Sequence, residues 1–327
     1  MKKVVALVLA VLMVTMVAGC GAAEGPKRAA YIARTLSDAF ASWLANEMQR
    51  AAAQYSDTFT LEVLDSRGDS ERQNASIEMC ITQGYDLIIV QPNDGESQRP
   101  FVEEAVAAGI LVITTNALIP GISGGSSVDA DPYNQGAVLA KAAAEMVPQG
   151  GKVVILSCLP GNLHTTARYQ SFQDLFVDKR PDVEIIGNHI FNEVDPAGAM
   201  AFIEDLMQSK GQIDAVLTSA DVLALAALEA VRGNPLYDNM LAWGVDGLSG
   251  SLISIKEGKQ TGSCLQNAVE LAEKNMKAAY QLLTGAQTVV EDSIGEVYLD
   301  SSNVDEWLAK YVDYGLLTKE EIAHFYE

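Results

Sequence analysis

Positively charged residues are scarce in this chain of 327 residues. Lys and Arg number 22 against 43 Asp and Glu, which gives a formal net charge of −21 at pH 7. Such a surface repels phosphate backbones and anionic lipid headgroups. The composition therefore argues against a nucleic-acid partner, and against a basic patch that would hold the protein at a membrane.

The chain also lacks the short motifs that carry well-known chemistry. It has no P-loop, no G-x-G-x-x-G after the first predicted strand, no H-E-x-x-H and no C-x-x-C. Its three histidines, His164, His189 and His324, show no metal-ligand spacing. A literal G-x-S-x-G occurs at 121–125, but a nucleophile elbow needs an adjoining strand and helix, which the pattern does not provide. We therefore expect no enzyme activity, no cofactor and no metal site.

The one long hydrophobic run lies at the N-terminus. Lys2 and Lys3 precede residues 4–16, where Thr15 is the only polar residue. The run is shorter than the roughly 20 residues that span a bilayer, so it predicts a removable leader.

The leader ends in V-A-G-C, which resembles the bacterial lipobox, where the cysteine is lipidated and becomes the mature N-terminus. We expect a signal peptide at 1–19, a lipid on Cys20 and a flexible tether at 20–28. The protein would then be exported and anchored to a membrane on its extracytoplasmic side. An ordinary cleaved signal with an incidental cysteine is the alternative.

Cysteine is otherwise rare. Cys80, Cys158 and Cys264 lie in apolar or strand-like contexts, and no two are close in sequence. An exported chain could pair two of them, but an odd number leaves one over. We interpret them as small buried hydrophobic residues rather than a disulfide or a metal site.

From residue 29 onward, short apolar segments alternate with segments of helical periodicity. Strands are predicted at 29–34, 59–64, 87–91, 110–114, 153–157, 183–190, 215–218, 241–244 and 262–265. Helices are predicted at 39–55, 70–83, 98–108, 135–146, 166–178, 197–209, 222–231, 250–257 and 268–283, with two more at 304–311 and 319–325. Apolar strands that alternate with helices predict an α/β fold with parallel sheets. Nine such units exceed one doubly wound sheet, so we expect two lobes, the first ending near the Gly/Ser-rich stretch 121–127.

Polar side chains follow many of the predicted strands. Ligands of open α/β sheets bind beyond the carboxyl ends of the strands, and carboxylates, amides and guanidinium groups can bind adjacent hydroxyls there. The candidates are Arg34, Asp38 and Phe40 after the first strand, Asn116, the loop 161–168 with His164 and Arg168, Ala220 with Asp221, Asp246, and Gln266. Taken singly, Asp38, Asp131 and Asp221 also fit helix N-caps, and Phe40 fits a core position.

These residues together resemble the ribose- and galactose-binding proteins, which are type I periplasmic solute-binding proteins of ABC transporters. The resemblance covers nearly the whole chain after the leader. It is carried by TLSDAF at 35–40, VLDSRGD at 63–69, GYDLIIVQP at 84–92, GILVITTN at 109–116, ARYQSF at 167–172, DAVLTSADVLALAAL at 214–228, GVDG at 244–247 and GSCLQ at 262–266.

The resemblance implies roles for several candidates. In the first lobe, Asp38 would accept hydrogen bonds from sugar hydroxyls, Phe40 would stack on the ring and Asn116 would supply an amide. In the second lobe, Arg168 would donate two hydrogen bonds and Asp246 would accept from a hydroxyl pair.

The resemblance also implies how the lobes are connected. Gln266 would contact the ligand from a hinge of three crossovers between the lobes. The first lobe would comprise 29–130 plus 267–295, and the second 131–266 plus 296–327.

Five positions depart from the family pattern. They are Ala220 in place of an amide, Val245 and Val194 in place of aromatic residues, Ala117 in place of an arginine, and Arg34 in place of a small residue. Phe191 or Tyr133 is a candidate substitute for the missing second aromatic ring. Losing a stacking face and gaining a cation predicts a ligand that differs from ribose.

The expected function is that of a tethered monomeric protein that captures a small polyhydroxylated, sugar-like ligand and delivers it to an ABC permease. One alternative is a receptor whose closed lobes present the ligand to a sensor kinase or chemoreceptor. Another is an exported hydrolase that uses Ser123. A DNA-binding repressor would need a basic helix-turn-helix at the N-terminus, where this chain has the leader.

Overall fold

The computed structural model describes residues 25–326. The predicted signal peptide and Cys20 lie outside the described residues. Across the described part of the chain, no helix combines the length and apolar character that a membrane span requires.

Twelve strands form in the described residues, and most are short, apolar and buried. Their bounds are β1 Lys27–Ala33, β2 Phe59–Asp65, β3 Leu87–Val90, β4 Leu111–Asn116, β5 Ser126–Asp129, β6 Lys152–Cys158, β7 Glu184–Phe191, β8 Ala215–Thr218, β9 Leu241–Asp246, β10 Gly262–Leu265, β11 Glu291–Ser293 and β12 Val297–Leu299.

Eleven α-helices separate or follow these strands in the same part of the chain. They are α1 Ala39–Ala52, α2 Ser70–Thr82, α3 Gly95–Ala107, α4 Pro132–Met146, α5 Leu163–Phe172, α6 Pro196–Lys210, α7 Asp221–Val231, α8 Ser249–Lys256, α9 Ala268–Leu283, α10 Val304–Asp313 and α11 Lys319–Ile322. A π-helical turn, Gln173–Val177, extends α5.

The strands form two six-stranded sheets, one in each lobe. The first has the order β2-β1-β3-β4-β5-β11 and the second the order β7-β6-β8-β9-β10-β12. All pairs are parallel except β10 with β12, which are antiparallel. The predicted α/β fold with two doubly wound lobes is confirmed.

Helices cover both faces of each sheet, as sheets with buried apolar strands require. In the first lobe, α1 and α9 pack on one face and α2 and α3 on the other. In the second, α4 and α5 cover one face and α6 and α7 the other. Helices α8 and α10 form a further apolar cluster beside β10 and β12.

The chain passes between the lobes three times. It does so between β5 and α4, between β10 and α9, and between β11 and β12. Residues 130–131, 266–267 and 294–296 therefore connect the lobes side by side, which is the arrangement of a hinge.

The sequence pattern missed three short strands, β5, β11 and β12. They have only three or four residues, and β5 and β11 are rich in Ser, Asp and Glu, so they lack the apolar run that predicts a strand. All are held by pairing with a neighbouring strand rather than by their own composition.

Two further expectations about local structure need correction. Helix α5 begins at Leu163 rather than Thr166, because Asn162 caps it, and the predicted loop 161–168 is therefore largely helical. Asp221 does not cap its helix: it is the first residue of α7 and is fully buried. Its carboxylate instead accepts hydrogen bonds from the backbone N–H groups of Gly247 and Leu248.

The cysteines and the caps predicted at Asp38 and Asp131 follow the sequence prediction, and Asp69 and Asp195 are further caps. Cys80, Cys158 and Cys264 are buried and unpaired. Asp38, Asp69, Asp131 and Asp195 each accept a hydrogen bond from the first turn of the following helix.

Candidate functional site

A cavity lies between the lobes at the carboxyl ends of the strands. It contains about 460 Å³ of space not filled by protein atoms, its mouth included. The structure brings all eight predicted site residues to its wall: Arg34, Asp38, Phe40, Asn116, His164, Arg168, Asp246 and Gln266. Asp221, also a candidate from the sequence, does not line it.

The segment between β1 and α1 provides three of these side chains. Asp38 caps α1, since its Oδ1 accepts from the backbone N–H of Ala41 at 2.8 Å. Its other oxygen accepts a hydrogen bond from Nη2 of Arg34. Phe40 is buried and packs edge-on against Trp43, with ring centroids 6.1 Å apart. Asp38 is thus both a helix cap and part of the cavity wall.

Asn116 ends β4 with φ +69°, in the left-handed region that asparagine tolerates better than most residues. Its side chain is buried, and within the described residues its Oδ1 has no hydrogen-bond partner. A buried carbonyl oxygen without a partner costs roughly 1–3 kcal/mol. The cavity therefore contains an acceptor that a bound molecule can satisfy.

Helix α5 carries two side chains one turn apart, His164 and Arg168, to the opposite wall. Its cap, Asn162, accepts from the backbone N–H groups of His164 and Thr165. His164 is 3% exposed, and neither ring nitrogen has a partner among the described residues. Burial, with the nearby guanidinium groups of Arg34 and Arg168, holds the pKa of His164 well below its usual value. The imidazole is therefore neutral, with one donor and one acceptor.

Arg168 is buried and held by hydrogen bonds on several sides. Its Nε and Nη2 donate to Oε1 of Gln135 at 3.1 and 2.8 Å, and its Nη1 donates to the carbonyl of Ser219 at 3.0 Å. The same Nη1 lies 3.5 Å from a carboxylate oxygen of Asp246. Burial lowers the pKa of Arg168, and Asp246 opposes that shift.

Asp246 ends β9 with an unusual backbone, at φ +125°. Its Oδ1 accepts a hydrogen bond from Nε2 of Gln266 at 3.3 Å. Burial raises the pKa of Asp246 to about 8, although Arg168 opposes this. Burial therefore disfavours the ionised form of this carboxyl group.

Each guanidinium group in the cavity has a carboxyl group beside it. Arg34 lies against Asp38 and Arg168 against Asp246, so the two pairs sum to zero charge when both carboxyls are ionised. The groups left without partners, on Asn116 and His164, are neutral donors and acceptors. This arrangement suits an uncharged molecule rich in hydroxyl groups. Within residues 25–326, no cluster of His, Cys, Asp or Glu is arranged to hold a metal ion.

Comparison with known proteins identifies the family. The model of the periplasmic binding protein domain matches residues 29–287. The chain belongs to the periplasmic binding protein family. Among curated relatives, the ribose import binding protein of Bacillus subtilis is 29% identical over 223 residues, which is 68% of this chain and 71% of that protein.

Solved structures support the same membership. An ABC transporter solute-binding protein from Bacillus halodurans, solved with bound myo-inositol, superposes with a TM-score of 0.80 at 26% identity, covering 88% of this chain and 99% of that one. The fructose-binding periplasmic domain of a hybrid two-component system has a TM-score of 0.78 at 21% identity, covering 91% and 99%, and shows the shared fold. These relatives are binding proteins, so the comparison supports a non-enzymatic role for this periplasmic binding protein.

Among the described residues, Phe40 is the one Phe, Tyr or Trp that lines the cavity of this periplasmic binding protein. Val194 lines it, whereas Phe191 and Tyr133, proposed from the sequence as substitute aromatics, do not. The remaining apolar wall is aliphatic and includes Leu159 and Val222. A bound ring would meet an aromatic face on one side only.

Two residues important to the site were missed by sequence analysis. Asn162 follows a glycine and precedes a helix, which is an N-cap signal that could have been recognised. Its Nδ2 donates to the carbonyl of Asn93 in the other lobe at 3.0 Å, and the N–H of Leu163 donates to the same oxygen at 3.2 Å. The direct bonds between Asn93 and Asn162 show that the lobes are closed on each other.

The second missed residue, Gln135, gave no sequence signal beyond being a polar residue on a buried helix face.

Proposed function

We propose that this protein captures a small, uncharged, polyhydroxylated ligand between its two lobes and delivers it to an ABC permease. The observation that carries the proposal is the closed cavity, where the charged side chains lie in pairs and the buried groups of Asn116 and His164 lack partners. Relatives named for ribose, and one solved with myo-inositol, support a monosaccharide or cyclic polyol as the ligand class.

The proposed contacts follow from the chemistry of each side chain. Asp38 and Asp246 accept hydrogen bonds from ligand hydroxyls, and Arg34 and Arg168 donate to ligand oxygens. Phe40 covers the apolar C–H face of the ring.

The neutral amide and imidazole groups complete the proposed contacts. Asn116 and His164 each offer a donor and an acceptor, and Gln266 contacts the ligand from the second crossing between the lobes. Every buried hydroxyl then has a partner, which is how such a site rejects analogues.

A thermal-shift and calorimetry screen of pentoses, hexoses, inositols and linear polyols tests this function. A ligand that binds only the folded protein stabilises it by about 2.7 kcal/mol at 100 times Kd. We expect at least one neutral polyol to raise Tm and to titrate with a stoichiometry of one. Above pH 8, sugar acids and sugar phosphates should fail, because both carboxyls are then ionised and the cavity offers no excess positive charge.

His164→Leu is the matched variant for that screen. It retains an apolar side chain in the buried position but removes both ring nitrogens, and each lost hydrogen bond costs about 1 kcal/mol. We expect roughly ten-fold weaker binding or more with the same unfolding midpoint in urea. A folded parent protein that binds nothing in the panel would contradict the proposed function.

The domain bounds and the anchor are part of the same proposal. The first lobe comprises residues 29–130 and 267–295, and the second comprises 131–266 and 296–327. A lipid on Cys20, after removal of residues 1–19, holds the protein at the extracytoplasmic face of the membrane as a monomer. Cys20→Ser should abolish incorporation of a labelled fatty acid into the protein, and equal labelling of the two proteins would contradict the anchor.

Presentation of the ligand to a sensor kinase or chemoreceptor is the second candidate. The fructose-binding domain of a hybrid two-component system has the same fold, so the fold is compatible with delivery to a permease and with sensing. Reconstitution with the permease distinguishes the two: ligand-dependent stimulation of ATP hydrolysis supports delivery, and its absence with a ligand-loaded protein favours sensing.

A further inference from the structure

Gln135 lies outside the cavity wall but contacts two residues that line it. It belongs to α4 and is 1% exposed. Its Oε1 accepts from both Nε and Nη2 of Arg168, at 3.1 and 2.8 Å, and its Nε2 donates to Oε1 of Gln266 at 3.1 Å. Both hydrogen-bonding ends of this amide are therefore used inside the protein.

These contacts close a ring of four side chains. Gln266 donates a hydrogen bond to Asp246 at 3.3 Å, and Asp246 lies 3.5 Å from Arg168. Arg168 donates to Gln135, which completes the ring. The four residues come from α4, from α5, from the end of β9 and from the segment after β10. The ring joins elements that are far apart in sequence, and Gln266 lies in one of the crossings between the lobes.

The contact between Gln135 and Arg168 depends on an unusually close approach of two helices. A Cβ at Gly136 would lie 2.2 Å from Oγ of Ser171 and 2.7 Å from the carbonyl oxygen of Arg168. Only glycine allows α4 and α5 to pack at this distance. The neighbouring Gln135 can then reach the guanidinium group with both of its bonds intact.

We propose that Gln135 is a positioning residue for ligand recognition: it fixes the plane of the Arg168 guanidinium and the orientation of the Gln266 amide. This inference rests on the proposed function, since it assigns Arg168 and Gln266 to ligand contact. A guanidinium donates in a fixed planar fork, so its orientation decides whether it can make paired bonds to a ligand. A misplacement of about 1 Å is enough to lose much of such an interaction.

The amide also determines which atom Gln266 turns toward Asp246. Because Nε2 of Gln135 donates to Oε1 of Gln266, the Nε2 of Gln266 is directed to the Asp246 carboxyl. Without Gln135, the Gln266 amide can flip, so that its Oε1 instead of its Nε2 faces the carboxyl group of Asp246. Loss of Gln135 therefore disturbs both of the residues that contact it.

Two substitutions separate hydrogen bonding from shape. Gln135→Met keeps the length of the side chain but removes every hydrogen bond, whereas Gln135→Glu keeps an acceptor for Arg168. Gln98→Met is the control, because Gln98 is an equally buried glutamine in α3 of the first lobe and does not line the cavity.

Ligand affinity is the first measurement, with a neutral polyol found by the screen as the probe. We expect Gln135→Met to weaken binding at least ten-fold, Gln135→Glu to bind more tightly than Gln135→Met, and Gln98→Met to stay within two-fold of the parent. Equal weakening by Gln135→Met and Gln98→Met would overturn the inference, because it would reflect general destabilisation.

The second measurement needs no ligand and so separates this inference from the proposed function. The Nε–H of Arg168 exchanges with solvent at a rate that reports its hydrogen bond, and ¹⁵N NMR of the ligand-free protein measures it. We expect at least ten-fold faster exchange in Gln135→Met and near-parent exchange in Gln135→Glu. Unchanged exchange in Gln135→Met overturns the positioning role, even if the parent binds a ligand; a parent that binds no polyol contradicts only the proposed function.

Discussion

The indole ring of Trp43 lies against the phenol ring of Tyr311, with centroids 5.8 Å apart, although the two residues belong to different lobes. Trp43 lies on α1, and Tyr311 lies on α10 beside the apolar cluster of the second lobe. The Nε1 of Trp43 is buried and has no hydrogen-bond partner among the described residues. We expect the contact to break when the lobes open, so that Trp43 reports closure.

Trp43 should carry the change in tryptophan fluorescence on ligand binding. Opening the lobes exposes its indole to water, whereas Trp243 stays in the core of the second lobe. Trp43→Phe should abolish the ligand-induced change and leave affinity within a few-fold, because no hydrogen bond is lost. Trp307→Phe is the control and should retain the change, because Trp307 lies on α10 in the apolar cluster of the second lobe. A persistent signal in Trp43→Phe would show that closure is sensed elsewhere.

Asn162 lines the cavity and also donates to Asn93 in the other lobe, which predicts how closure can be weakened. Asn162→Asp keeps the oxygen that caps α5 but replaces the Nδ2 donor by an oxygen that faces the carbonyl of Asn93. We expect several-fold weaker binding and a larger radius of gyration of the ligand-free protein in small-angle X-ray scattering.

Asn188→Asp is the control for that experiment. Asn188 is exposed on β7 and does not line the cavity, so the variant adds the same charge away from the cleft. It should match the parent in both measurements. An Asn162→Asp protein as compact and as tight-binding as the parent would show that the bond between the lobes contributes nothing to closure.

The Asp246 carboxyl predicts a pH dependence of affinity. Burial raises its pKa to about 8 in the ligand-free protein; Arg168 and Arg34 oppose the shift, while Asp221 and Asp38 add to it. Ligand hydroxyls that donate to the ionised carboxylate lower that pKa, so binding releases a proton. Affinity should therefore rise between about pH 6 and 8, by at most ten-fold per pH unit, and level off above that.

Calorimetry in buffers of different ionisation enthalpy measures the released proton directly. Asp246→Asn, which cannot titrate, should show weaker binding with no dependence on pH in this window. Affinity that falls as pH rises would mean that the ligand binds the protonated carboxyl, so that binding takes up a proton instead of releasing one.

The close packing at Gly136 predicts a large effect from a single methyl group. Gly136→Ala forces α5 away from α4, at a cost of about 1–3 kcal/mol in the free energy of unfolding. Because α5 carries His164 and Arg168, affinity should fall together with stability. Urea unfolding and calorimetry on the same samples measure both.

Gly250→Ala is the matched control for the glycine substitution. Its Cβ would meet only the end of the flexible Leu225 side chain, at 3.3 Å, in a helix where alanine is favoured over glycine. Gly250→Ala should leave the free energy of unfolding and the ligand affinity near those of the parent. Normal affinity in Gly136→Ala would show that α5 can move without disturbing the site.

The sequence predicted those parts of the fold and site that depend on local patterns. Apolar strands followed by polar residues identified Asn116, Asp246 and Gln266, because position at the end of a parallel strand already places a side chain at the shared edge of the sheet. Asp38 was found both as a cap and as a wall residue, and it is both.

What the sequence did not predict depends on contacts between distant segments. Gln135 meets Arg168 only because two helices approach closely at Gly136, and no pattern within α4 indicates that approach. Strands β5 and β11 pair with each other, yet they lie more than 160 residues apart in the chain. Their polar residues resemble loop sequence until the partner strand is present.

Because the chain crosses between the lobes three times, the first lobe receives its last strand and helix late in translation. Strand β11 forms one edge of the first sheet, and helix α9 covers one of its apolar faces. Both are made only after every parallel strand of the second sheet. An emerging N-terminal lobe therefore leaves part of its core uncovered for most of translation. A chain of this topology therefore exposes apolar surface, which favours aggregation, until residues 268–293 have been made.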